Sequence, residues 1–143
     1  MVLLLRKSNM MSMKRIRSSN RKGISVEASE RMHDHATAIA KDARLDFHFE
    51  KAIPANSFRA HQLSAFAKTK GVQNEVEGAL FSAYFTEGKN IDAIPELIAI
   101  GTRFGLPASD IQNVYDNGLF AEEVKADQEQ AYEYGINSVP YFV

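Results

Sequence analysis

The chain has 143 residues, of which 45% are hydrophobic and 24% charged, a composition typical of one folded globular domain. It contains no cysteine, so its own residues exclude a disulfide scaffold, thiolate-ligated zinc, a cysteine nucleophile and dithiol redox chemistry. The net charge is −1, but basic and acidic residues are unevenly distributed along the chain. Residues 1–23 hold seven Lys and Arg and no acidic residue, which leaves ten of the 17 basic residues and all 18 acidic ones in 24–143.

Residues 1–23, named the basic arm here, are expected to be poorly ordered or adventitious, because they show no clean hydrophobic period. Their apolar run, residues 2–5, is shorter than the core of a signal peptide or a membrane span. We therefore expect a soluble, cytoplasmic chain with no membrane partner. The charge of the basic arm also suggests nucleic-acid binding, which we rank below the two hypotheses given later. The arm has no aromatic residue, and the acidic remainder of the chain would repel phosphate.

The first predicted helix begins at the N-cap Ser25 and extends to about residue 44. Three- and four-residue spacings predict one apolar face, formed by Met32, Ala36, Ile39, Ala40 and Ala43. Residues 45–50 then alternate apolar and polar side chains, which predicts a short, half-buried strand. Pro54 ends that segment.

Five helices are predicted between residues 55 and 135, each followed by a glycine that favours a helix C-terminus. These glycines are Gly71, Gly88, Gly105, Gly118 and Gly135. Residues 136–143 are mostly β-branched or aromatic and include Pro140, so they predict a strand entered through a proline turn. The chain stops three residues after this proline, and truncation is the simpler explanation for an unfinished element.

No residue pattern predicts a metal or cofactor site. His33 and His35 are two apart on a predicted helix, so they point about 200° apart and cannot share one metal ion. His48 is expected to be a surface or packed strand histidine, and His61, near a helix N-terminus, to cap or pack rather than catalyse. Hydrolase, metalloprotease and nucleotide motifs are absent. Four neighbouring carboxylates are expected on solvated helix faces: Glu75, Glu77, Glu122 and Glu123.

Three segments together resemble one family. They are Asn-Ser-Phe-Arg-Ala-His at 56–61, Tyr-Phe-Thr-Glu-Gly-Lys-Asn-Ile at 84–91 and Gly-Ile-Asn-Ser-Val-Pro-Tyr-Phe-Val at 135–143. In this order they resemble the DsbA-like thioredoxin family, FrnE-type branch, over residues 23–143. The resemblance implies an α/β, mostly helical, thioredoxin-like fold that is incomplete at both ends. Its second strand would be residues 45–50, its third would begin at 139–143, and an all-helical insertion would cover about 55–135.

The same resemblance implies a substrate-binding site. Val139 and Pro140 match the cis-proline turn of the family, where the backbone of the residue before proline pairs with an extended substrate segment. Asn56 and His61 are weaker candidates for the same cleft. The expected partner is a polypeptide client or a small thiol such as glutathione. The family performs thiol–disulfide exchange, but its Cys-x-x-Cys segment has no counterpart here, so no catalytic residue and a redox-inert chain are predicted.

Two alternatives stay open. Glutathione-binding isomerases and kappa-class transferases share the fold and need no cysteine pair, although their nucleophile would lie in the missing N-terminal part. A helical binding or assembly module is the alternative from a different class. Unpaired strand edges of an incomplete sheet would then join two copies into a homodimer.

Overall fold

A computed structural model describes residues 25–136, and within this range the chain contains six α-helices and one π-helical turn, with no β-strand. The helices are α1 (Val26–Asp42), α2 (Phe58–Thr69), α3 (Gln73–Phe81), α4 (Ile94–Thr102), α5 (Ala108–Asp116) and α6 (Ala121–Glu133). The π-helical turn (Ser82–Thr86) follows α3 directly. The chain divides into two compact units: a first unit of residues 25–54 and 81–90, and a second unit of residues 55–80 and 91–136.

The predicted helix boundaries are confirmed by the caps. The Ser25 hydroxyl accepts a hydrogen bond from the Ala28 N–H at 3.1 Å, so it caps the N-terminus of α1. All five glycines expected after helices have positive φ, between 60° and 81°. A glycine adopts this left-handed conformation without the steric cost that a Cβ would add, which is why the helices end there.

The predicted strand over residues 45–50 is wrong. A strand needs a neighbouring strand to complete its backbone hydrogen bonds, and the described residues contain none. The His48 N–H donates instead to the Phe85 carbonyl of the π-helical turn, at 2.6 Å. The alternation still separates two sides of the segment, because Phe47 stacks on Phe85 with ring centroids 4.6 Å apart while Phe49 meets it edge-on.

The predicted apolar face of α1 is only partly buried. Ala40 is buried, but Met32 is 51% exposed and Ile39 56% exposed. The basic arm and the predicted strand over 139–143 lie outside the described residues. None of the helices between residues 25 and 136 is both long and apolar enough to span a bilayer.

The second of the five helices predicted between residues 55 and 135 changes type after Phe81. The Glu87 N–H donates to the Ser82 carbonyl, a bond across five residues that defines the π-helical turn. Gly88 follows this turn, and a Cβ there would lie 2.6 Å from the Lys51 carbonyl oxygen. The close approach and the φ of +68° both require glycine at this position.

The second unit is built around α2, which packs against α4, α5 and α6. Its largest fully buried side chains are Leu63, Leu97, Ile100, Ile111, Val76 and Val114. Burying each of them contributes roughly 1.5–3 kcal/mol relative to leaving it exposed. Gly101 of α4 allows the helices to approach closely, since a Cβ there would meet Ile111 Cδ1 at 2.5 Å. α2 is therefore the structural support for the site described next.

Candidate functional site

The two predicted site residues within the described range lie at the beginning of α2. The Asn56 side-chain oxygen accepts a hydrogen bond from the Phe58 N–H at 2.9 Å, so Asn56 caps the first turn. His61 is exposed, and its side chain lines a cavity in the second unit. Asn56 is not among the residues lining that cavity. The other two predicted site residues, Val139 and Pro140, lie outside the described residues.

The cavity has a volume of about 350 Å³ and is called the trough here. Its floor is one face of α2, with His61, Ser64 and Lys68 at the three- and four-residue spacings that place side chains on one side of a helix. The beginning of α3 and one face of α6 form its two walls. The volume is at the lower end of the range for ligand pockets, enough for one long side chain and its neighbouring backbone.

A buried hydroxyl fixes one carboxylate of the trough. The Ser64 side chain, in a residue only 6% exposed, donates to Glu77 Oε1 at 2.5 Å and accepts a bond from the Gln73 side-chain amide at 3.1 Å. Hydrogen bonds to an ionised carboxylate are short and hold it in one position. The Glu77 carboxylate is therefore held in position by a buried side chain.

The α6 wall adds two more carboxylates. Glu123 and Asp127 are four residues apart, so both lie on the face of α6 that lines the trough. Lys68 Nζ lies 3.9 Å from Glu123 Oε1, a long contact between two exposed groups. With Glu77, the trough thus has three carboxylates against one lysine.

The loop before α6 is held on α2, which sets the position of this wall. The buried Gln62 side chain donates to the Leu119 carbonyl at 2.9 Å. The rings of Phe66 and Phe120 lie 6.1 Å apart by their centroids. These contacts hold the start of α6 against α2, whose face forms the floor of the trough.

The expectation that the neighbouring carboxylates are solvated holds for some of them. Glu75 is exposed, and the Glu122 side chain is 88% exposed and bonds only Lys125 across one turn, at 2.7 Å. Glu77 contradicts the expectation, because its partner is the buried Ser64. Glu123 is exposed but lines the trough. No local sequence signal distinguishes Glu77 from Glu75, since the serine that binds it is 13 residues away.

Two of the remaining histidines, His33 and His48, have structural contacts in the first unit. His33 stacks on Phe49 with ring centroids 5.2 Å apart. His48 is 31% exposed, and its two ring nitrogens lie 3.2 Å from Asp46 Oδ2 and 2.9 Å from Glu50 Oε1. Across residues 25–136, no three His, Asp or Glu side chains are arranged to hold a metal ion.

Tyr115 shows the largest electrostatic perturbation described. Burial raises the pKa of its phenol well above the usual value near 10, although the nearby Arg59 charge acts in the opposite direction. The phenol donates to the Arg59 carbonyl at 3.1 Å, and Arg59 Nη1 in turn donates to the Asp92 carbonyl at 3.0 Å. These bonds connect α5 to the beginning of α2, so they indicate a structural role.

Comparison with known families matches residues 3–143 to the DSBA-like thioredoxin domain. The chain belongs to this family. The predicted thioredoxin-like fold class of the DsbA type is confirmed.

A solved structure agrees with the DSBA-like assignment. The fold resembles a probable DsbA oxidoreductase from Streptomyces coelicolor, with a TM-score of 0.79 and 24% sequence identity. The similarity covers 87% of this chain and 54% of that chain, so this DSBA-like chain spans about half the length of its structural neighbour. No curated protein matches the sequence significantly.

Proposed function

We propose that this DSBA-like chain binds extended polypeptides and performs no thiol–disulfide exchange by itself. The observation behind the proposal is the lack of cysteine in a chain that belongs to a DsbA-like oxidoreductase family. Exchange begins with attack of a thiolate on a disulfide sulfur, and no other side chain provides that nucleophile. Any thiol in the reaction would have to come from another molecule.

The binding half of the proposal uses the four predicted site residues. By resemblance to the proline turn of the family, Val139 and Pro140 are assigned the role of pairing with an extended segment, as in strand addition. His61 and Asn56 are proposed to border the bound segment. Support for His61 comes from its exposed position among the residues that line the trough. The three sequence segments that resemble the FrnE-type branch also support this placement within the family.

The redox half is tested by an insulin disulfide-reduction assay with dithiothreitol as the reductant. The purified full chain is expected to leave the rate at the buffer value, while a thioredoxin added as the positive control accelerates it. Catalysis above the buffer rate, in protein shown by mass spectrometry to be free of thiol-containing contaminants, would contradict the proposal.

The binding half is tested with a reduced, carboxymethylated polypeptide labelled with fluorescein. We expect its anisotropy to rise with the concentration of the chain, and Pro140→Ala and His61→Ala each to weaken binding about threefold to tenfold. His35→Ala, an exposed histidine on α1, is the matched control and is expected to change nothing. A titration with reduced glutathione tests the alternative ligand. Glutathione binding without polypeptide binding would favour the transferase-like alternative.

A further inference from the structure

Asn117 and Gly118 follow α5 directly and form the one Asn-Gly pair in the sequence. Asparagine loses its side-chain amide most readily when glycine follows it, because glycine has no side chain to hinder attack by its own backbone nitrogen. Both residues are exposed, and nothing lies within 4 Å of a Cβ placed on Gly118. The pair is therefore open to water.

The folded conformation of Asn117 opposes this reaction. A five-membered ring closes between the Gly118 nitrogen and the Asn117 side-chain carbon only when that nitrogen and the Asn117 Cβ lie on the same side of the Cα–C bond. Asn117 ends α5 with φ −105° and ψ 5°, which places the two atoms on different sides. Ring closure therefore requires rotation about ψ, one of the two soft torsions of the residue.

Three hydrogen bonds resist that rotation. The Gly118 N–H donates to the Tyr115 carbonyl at 3.3 Å. The Asn117 Nδ2 group donates to the Asn113 side-chain oxygen at 2.6 Å and to the Asn113 carbonyl at 3.3 Å. All three bonds belong to the last turn of α5, and terminal turns open locally at a small cost in free energy. Opening of this turn therefore frees both reacting groups together.

We propose that Asn117 deamidates spontaneously at a rate set by opening of the last turn of α5. The Gly118 nitrogen attacks the side-chain carbonyl carbon of Asn117, and the new C–N bond closes a succinimide ring. The bond from that carbon to Nδ2 breaks, and Nδ2 leaves as ammonia with the proton of the Gly118 nitrogen. Water then opens the ring at either carbonyl, giving its hydroxyl to the carbon and its proton to the nitrogen. The products are aspartate or isoaspartate at position 117.

The products weaken the attachment of α6. A new carboxylate at the C-terminus of α5 lies at the negative end of the helix dipole and cannot donate the two hydrogen bonds to Asn113. Isoaspartate also adds one carbon to the main chain ahead of Leu119, whose carbonyl accepts the Gln62 bond at 2.9 Å. Both changes disturb the connection that holds the start of α6 on α2.

The test incubates the purified full chain in mildly alkaline buffer and follows it by tryptic digestion and mass spectrometry. Trypsin cleaves after Arg103 and Lys125, so one peptide contains both Asn117 and Asn113. Asn113 is the internal control, because the β-branched Val114 follows it. Fragment ions are expected to show deamidation at least about tenfold faster at Asn117 than at Asn113. The same chain unfolded in urea is expected to deamidate at Asn117 about tenfold faster than the folded chain.

Asn113→Val removes the side-chain acceptor at an exposed position with little change in helix propensity. It is expected to speed deamidation of the folded chain about threefold and to leave the rate in urea unchanged. Ser109→Val, an exposed residue in the first turn of α5, is the matched control and is expected to change neither rate.

Three outcomes would overturn the proposal. The first is deamidation at Asn117 that is no faster than at Asn113. The second is an equal rate at Asn117 in the folded and urea-unfolded chain, and the third is an equal acceleration by Asn113→Val and Ser109→Val. Asn117→Asp reproduces the aspartate product and is expected to make the amide hydrogens of α6 exchange with deuterium about threefold faster. Unchanged exchange would overturn the effect on α6.

Discussion

Gly78 and Gly101 both lie inside helices of the second unit, but their surroundings differ. Nothing lies within 4 Å of a Cβ placed on Gly78, whereas one on Gly101 meets Ile111 Cδ1 at 2.5 Å. Ile111 is fully buried. The same substitution therefore has opposite consequences at the two positions.

We expect Gly78→Ala to raise the free energy of unfolding by about 0.5–1 kcal/mol, because alanine favours the helix. Gly101→Ala gains the same helix propensity but overpacks the core, and we expect a net loss of about 1 kcal/mol. Urea denaturation of the two variants measures both values. A stabilised Gly101→Ala variant would show that α4 can move away from α5.

We expect Tyr115 to make the protein less stable as the pH rises above 10. Burial keeps its pKa above 10 in the folded protein, whereas the phenol ionises near pH 10 in the unfolded chain. Above pH 10 the unfolded state has lost a proton that the folded state keeps, so the free energy of unfolding falls as pH rises. Tyr115→Phe should lower the free energy of unfolding by about 1 kcal/mol at pH 8, because the hydrogen bond of the phenol is lost. Between pH 10 and 11, the free energy of unfolding of this variant should decline less steeply than that of the unmodified protein. Identical slopes for both proteins would contradict this assignment.

Single residues differ in how far the sequence could predict their roles. Ser25 and the five helix-ending glycines were predictable, because a cap or a positive φ is a local requirement. The role of Glu77 was not, since it depends on a serine in another helix. His61 was selected only by family resemblance, and its position in the trough follows from the packing of α6 on α2.

Among the elements, α2 has the largest share of the second unit's contacts and supplies six buried residues. Leu63→Ala should lower the free energy of unfolding by about 2–5 kcal/mol, since Leu63 is fully buried and the change leaves a cavity. Tyr132→Ala on α6 is the control. Because Tyr132 is 76% exposed, this substitution should change the free energy of unfolding by less than about 0.5 kcal/mol. Thermal unfolding of both variants checks the comparison. Equal losses of stability in Leu63→Ala and Tyr132→Ala would contradict the central role of α2.

Each feature that the sequence predicted wrongly or did not predict has its own physical reason. Period-two alternation over residues 45–50 correctly separated the aromatic side from the polar side, but no sequence pattern shows whether a neighbouring strand is present to form a ladder. The π-helical turn was missed because one extra residue in a turn barely disturbs an apolar spacing of three and four. The trough was missed because its walls are about 50 residues apart in sequence.

For the whole molecule, self-association remains a prediction. The segment 45–50 forms no ladder, so it offers no strand edge for pairing, but α1 exposes Met32 and Ile39. Exposed apolar side chains of this size favour contact with another copy.

Light scattering should therefore show a mass that rises above 16.0 kDa as concentration increases. Ile39→Lys should reduce this rise, whereas Ala38→Lys, the same charge change on an already exposed neighbour, should not. A constant monomer mass at high concentration would contradict the assembly alternative.

The α6 wall of the trough is attached to its unit by little buried surface. Val124 is the one buried side chain in its 13 residues, whereas α2 has six in 12. Segments with few buried contacts open locally long before the protein unfolds. The amide hydrogens of α6 should therefore exchange with deuterium much faster than those of α2. Because α6 forms one wall, the trough would open and close by fraying of a single helix.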